Sequence, residues 1–181
     1  YTFVDLTAIL SVTDDQILAS GSEPPDSISY VGDVGSVTAN SAGTTLNIPV
    51  GSEGVAAGNT IVVGFASRGA ATYNEQTVTD SGGNTYHLAA VGVTYQHGRS
   101  YIYYAHVDTP LVSGDTITIT TSSVQSRVAV ASVFSGLLDV EPLDQALGNP
   151  TLEEQETEQG HSPTVGPTGI TAQANELLVG M

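Results

Sequence analysis

Residues 4–12 alternate along the chain: Val4, Leu6, Ala8, Leu10 and Val12 are apolar, and Asp5, Thr7 and Ser11 between them are polar, with Ile9 the exception. A period of two puts the first set on one face of a β-strand. The following stretch, DDQILASGSEPPDS, is rich in Ser, Gly, Pro and acidic residues and reads as a tether. From Val34 the pattern becomes a regular succession of short β-branched and aromatic runs. They predict strands at 34–39 (VGSVTA), 44–50 (TTLNIPV), 59–66 (NTIVVGFA), 76–79, 84–94 (NTYHLAAVGVT), 100–107 (SYIYYAHV), 115–121 (DTITITT) and 126–134 (SRVAVASVF). The Gly-polar punctuation between them is turn chemistry. DSGGN at 80–84 has two glycines free to take positive φ between an Asp and an Asn, which predicts a hairpin. No stretch shows a helical period. Many short strands with such spacing predict an all-β chain folded as a single β-sandwich, of jelly-roll or Greek-key kind, with an N-terminal extension strand.

After Phe134 the texture changes to a long loop, acidic over about 139–163 and including Glu153, Glu154, Glu156 and Glu158. Loops of this length are usually functional or mobile. A strand pattern resumes in TGITAQ (168–173) and NELLVGM (175–181), the latter echoing NTIVVGF at 59–65. The expected organisation is an N-terminal strand and tether over 1–33 and a sandwich over 34–181. A buried-type strand as the last segment leaves the expected sandwich short of one partner strand, and so suggests an acceptor groove.

Composition narrows the function. The chain has 181 residues, 40% of them apolar, which suffices for one domain with its own core. Nineteen acidic residues face three arginines and no lysine, for a net charge of -16. Nucleic acid is excluded as a partner, because neutralising its phosphates requires basic side chains. Six of the acidic residues lie in 1–33 and seven in 139–158, which makes two solvated, charge-rich segments around a nearly neutral centre. No run reaches the length of a membrane-spanning helix, so membrane insertion is not expected. There is no cysteine. A chain opening on Tyr1 without Met reads as processed on export, and the expected location is secreted, at the cell surface.

The chemistry-bearing residues do not form a catalytic pattern. His87 and His106 fall in predicted strands, His97 and His161 in loops beside glycine, and none has the spacing of a zinc motif. GHS at 160–162 lacks the G-x-S-x-G of a nucleophile elbow. The chain is therefore expected not to be an enzyme. Calcium is the one cofactor with candidate ligands: Asp14 and Asp15 in the tether, Asp80 with Asn84 in the turn, and Glu153 and Glu154 in the acidic loop. Asp80 and Asn84 are first of all turn formers. Tyr101 and Tyr103 share a strand face opposite to Tyr104 and are expected to pack across strands, while a surface glycan remains a possible partner despite the absence of Trp.

AAGNTIVVGFAS, TVTDSGGNTYHLA, GRSYIYYAHVDTPLVSGDTITIT, VAVASVFSGL and ANELLVGM together resemble a jelly-roll-like β-sandwich module of bacterial secreted and surface proteins and of some virion proteins. The resemblance runs from about Val34 to Met181. It implies architecture and carries no catalytic residue. In design, the N-terminal strand, the spacer and the incomplete sandwich also resemble subunits of extracellular fibres joined by donor-strand complementation. The expected function is thus a structural subunit of an extracellular filament, a homopolymer in which Val4, Leu6, Ala8, Leu10 and Val12 of one copy enter the sandwich of the next by β-augmentation. The alternative is a ligand-binding sandwich that contacts a carbohydrate or a receptor.

Overall fold

The computed structural model describes residues 27–68, 76–94, 98–140, 142–146 and 175–180. Eight strands follow one another: β1 (Ser29–Ala39), β2 (Gly43–Pro49), β3 (Thr60–Arg68), β4 (Thr77–Asp80), β5 (His87–Thr94), β6 (Gly98–His106), β7 (Thr116–Val124) and β8 (Ser126–Ser135). They build two antiparallel sheets, one of five strands in the order β1-β8-β3-β6-β5 and one of three in the order β2-β7-β4. The chain is all-β, with no helix among the described residues, and has the two sheets of a β-sandwich. Pairing is nested: first strand with last, second with seventh, third with sixth. Of consecutive strands, only β5 and β6 stay in one sheet.

The core follows from alternation. In the larger sheet the inward rows pair small with large side chains: Ala129 lies beside Phe65 and Phe65 beside Tyr101, while Ala131 lies beside Val63 and Val63 beside Tyr103. The Phe65 and Tyr101 rings stack with centroids 5.7 Å apart. Leu46 and Ile48 of β2, Ile117 and Ile119 of β7, and Val78 of β4 close the core from the smaller sheet. Mixing sizes across a row lets the two layers interdigitate without voids.

Arg127 is buried where the chain passes from β7 to β8, and its guanidinium donates to the backbone oxygens of Thr45 (2.6 Å) and Ser41 (3.0 Å). It thereby satisfies one carbonyl of the β1–β2 connection and one near the start of β2. Gly43 makes room for it, since a Cβ there would stand 2.6 Å from Nη2.

Three expectations change. β1 begins at Ser29, inside the stretch read as tether, because register shifts at Tyr30/Gly32 and Asp33/Gly35 break the alternation that would have revealed it. DSGGN does not close a hairpin: β4 and β5 lie in different sheets, and the turn carries the chain from one to the other. NELLVGM is not a strand over 175–180; Leu178 is 82% exposed, and no strand among the described residues pairs with this segment. Apolar content favours a strand, but a strand exists only where a neighbour supplies the ladder.

Gly43→Ala should lower unfolding stability by about 2 kcal/mol in urea denaturation, through displacement of the buried guanidinium. The cost should shrink in an Arg127→Met background, and equal costs in both backgrounds would show the two residues to be uncoupled.

Candidate functional site

The turn from β4 to β5 is organised by Asn84, which is buried. Its side-chain nitrogen donates to Asp80 Oδ2 (2.9 Å) and to the Thr109 carbonyl (2.9 Å), and its side-chain oxygen accepts from the backbone N–H groups of Asp108 and Thr109 (2.9 Å each). All four hydrogen-bonding positions of the amide are filled. Asp80 accepts twice more, from the Asn84 backbone N–H (3.0 Å) and from the Tyr86 hydroxyl (3.1 Å). The pair therefore joins the end of β4 to the connection after β6. Of the residues named as possible calcium ligands, the structure brings these two together; Asp14, Asp15, Glu153 and Glu154 lie outside the described residues, as do the donor-strand residues Val4, Leu6, Ala8, Leu10 and Val12.

Two tyrosines hold β4 against the larger sheet. Tyr86 OH reaches Asp80 at one end of the strand, and Tyr103 OH donates to the Gln76 carbonyl (3.2 Å) just before the other. Burial and the adjacent Asp80 carboxylate push the Tyr86 phenol well above its ordinary pKa. Burial and the neighbouring Tyr101 raise that of Tyr103 to about 12.

Beyond β4 the two layers do not match. Leu88 pairs with Tyr103 and Val91 with Tyr101, so both side chains point to the inner face of the larger sheet. Yet Leu88 is 49% exposed. The reason is the strand count: β5 is the fifth strand of its sheet, and β4 is the edge of a sheet of three. Among the described residues β4 pairs only with β7 and is an edge strand of its sheet.

The outer face of β5 and β6 carries a different feature. A cleft of about 520 Å³ is lined by His87, Tyr104, His106, Asp108, Asp139 and Val140, among others. His87 and Tyr104 are register partners and their rings stack, with centroids 5.4 Å apart and 28° between planes. Asp108 is held by its backbone N–H on Asn84, so the clasp also fixes this rim. Sequence reasoning placed His87 and His106 on strands singly. The signal for the grouping was present: two residues apart on one strand, Tyr104 and His106 share a face. Their neighbour His87 could be placed only once the β5–β6 register was known. Tyr101 and Tyr103, expected to pack across strands, are core residues with 5% exposure each.

Comparison with known proteins identifies no relative: no protein-family model, no curated protein and no solved structure matches the chain.

Asn84→Ala should cost about 3 kcal/mol in chemical denaturation, since it leaves the N–H groups of Asp108 and Thr109 and the Thr109 carbonyl without their partner. A cost near zero would assign the turn's stability elsewhere. Both tyrosine pKa values are raised by folding, so the unfolded chain ionises first as pH climbs through 10. The sign follows: this contribution is complete below pH 10 and is lost as pH rises toward about 12. Unfolding midpoints measured from pH 8 to 12 should fall in that window, and fall less in a Tyr86→Phe/Tyr103→Phe variant.

Proposed function

We propose that this chain is a non-catalytic structural subunit of an extracellular assembly, built on a jelly-roll-type sandwich and joined copy to copy by donation of the strand at residues 4–12. The jelly-roll reading rests on the nested pairing of β1 with β8, β2 with β7 and β3 with β6, which describes one long antiparallel ribbon rolled on itself. The single observation that carries the proposal is Leu88. It points inward, yet half of it is exposed, and among the described residues the smaller sheet has no strand beyond β4.

A strand with alternating aliphatic residues fits that position. Val4, Leu6, Ala8, Leu10 and Val12 present a single apolar face toward Leu88 and Val91, and the backbone pairs with β4. Aliphatic side chains of this size contribute roughly 1–2 kcal/mol each on burial, and each ladder bond adds about 1 kcal/mol. Because β4 has four residues, side chains rather than the ladder carry most of the affinity and set the register. A donor at one end and an acceptor at the other give a head-to-tail contact that propagates rather than closes. The net charge of -16 on each copy opposes the contact, so salt that shortens the screening length promotes it. Calcium bridging, with Asp14 and Asp15 beside the donor strand, would act in the same direction.

Sedimentation and electron microscopy of the full chain should show polymers that lengthen between 10 and 150 mM NaCl. A variant lacking residues 1–20 and a Leu88→Glu variant should both remain monomeric. Polymers formed equally well without residues 1–20 would overturn strand donation. So would a full chain that stays monomeric at high concentration with residues 4–12 protected from hydrogen exchange, because the strand would then pair within its own subunit. Addition of calcium at constant ionic strength separates bridging from screening: no change in length excludes bridging.

A further inference from the structure

The cleft on the outer face of β5 and β6 is separate from the edge proposed for strand donation. We propose that it binds a neutral, hydroxyl-rich saccharide.

Three segments distant in sequence converge there: the start of β5 with His87, the end of β6 with Tyr104, His106 and Asp108, and the segment after β8 with Asp139 and Val140. A volume of about 520 Å³ lies within the range of small-molecule sites, roughly 300–1,000 Å³. Charge excludes one class of ligand. Asp108 and Asp139 both line the cleft, and their carboxylates repel anions. Among the described residues no three ligating side chains are grouped so as to hold a metal ion.

The donor and acceptor pattern narrows the class further. His106 Nδ1 is sealed from solvent without a partner, and so is Oγ1 of Thr60, its register partner on β3. A buried lone pair without a partner is tolerated better than a buried N–H without one, so in the neutral ring Nδ1 is the unprotonated nitrogen. The proton then sits on Nε2, a donor for the cleft. The cleft thus offers a donor on His106, acceptors on Asp108 and Asp139, and a phenol on Tyr104 that can do either. An ammonium group only donates, so it would serve Asp108 and Asp139 but leave the His106 N–H without an acceptor. A hydroxyl donates and accepts at once, and a ring bearing several satisfies all of these groups together. The His87–Tyr104 stack supplies the flat face on which the C–H side of a sugar ring rests, and Val140, 70% exposed, supplies apolar surface at the rim.

The test is an array of neutral, sialylated and sulfated oligosaccharides probed with the full chain, followed by calorimetric titration of the neutral oligosaccharide with the highest signal. Binding should be confined to neutral glycans. It should fall at least tenfold in Asp139→Ala and in Tyr104→Ala, and persist in Thr118→Ala on the outer face of the smaller sheet. Circular dichroism and unfolding midpoints establish that each variant is folded, and Asp139→Ala, on an exposed position, keeps the test valid if Tyr104→Ala is not. Absence of signal on neutral glycans, preference for sialylated or sulfated ones, or affinity unchanged in Asp139→Ala overturns the proposal. The variant lacking residues 1–20 should retain glycan affinity per subunit, so failure of strand donation and failure of this site are told apart.

Discussion

The clasp made by Asn84 is the interaction on which both surfaces of this molecule depend. β4 and β5 are consecutive strands in different sheets, so the five residues from Asp80 to Asn84 begin the passage of the chain across the side of the core. Such a crossing strips backbone groups of water without a ladder to replace it. One amide side chain supplies the missing partners, to the turn on one side and to Asp108 and Thr109 on the other. Gly83 takes the positive φ of 78° that the path requires. Once the turn is fixed, Asp80 stands where Tyr86 can reach it at the open edge of β4, and Asp108 stands at the rim of the outer cleft.

The same crossing accounts for the unequal sheets. A hairpin at DSGGN would have placed β5 beside β4, giving two sheets of four and covering the inner side of every strand. Instead β5 turns to β6, where His87 stacks on Tyr104 and Leu88 pairs with Tyr103, and the fourth place in the smaller sheet is left without a strand among the described residues. Such an edge invites association, and proteins usually blunt it with charge or brevity. This one has both: β4 is four residues long and ends on Asp80, in a chain of net charge -16. In the proposed assembly that charge would act as a brake, making addition of a strand dependent on solution conditions.

The positions of strands were legible in the sequence because a strand buried on one face must alternate, and β2, β3, β6, β7 and β8 fall close to the expected runs. What alternation does not encode is which strand lies beside which. DSGGN has the composition of a hairpin turn, and only the reach of Asn84 to residues 108 and 109, far along the chain, shows that it crosses. The early start of β1 was hidden by two bulges that shift the period. The candidate cleft was hidden for a related reason: His87, His106 and Asp139 are ordinary surface residues until the β5–β6 register and the path after β8 bring them together. NELLVGM shows the converse, an apolar run whose strand pattern is clear but which pairs with no strand among the described residues.

The two outer faces divide the work. Across the smaller sheet, Thr45, Thr120 and Thr77 form one outward row and Asn47, Thr118 and Thr79 the next, a polar surface content to face water. Across the larger sheet the outward rows include Val62, Gly64, Ala66, Ile102, Val128 and Val130, half-buried and largely apolar. β5 ends this apolar face, and it carries residues of both proposed contacts side by side: His87 faces outward in the cleft and Leu88 faces inward. A register shift follows immediately, between Leu88 and Ala90, where the ladder is locally loosened.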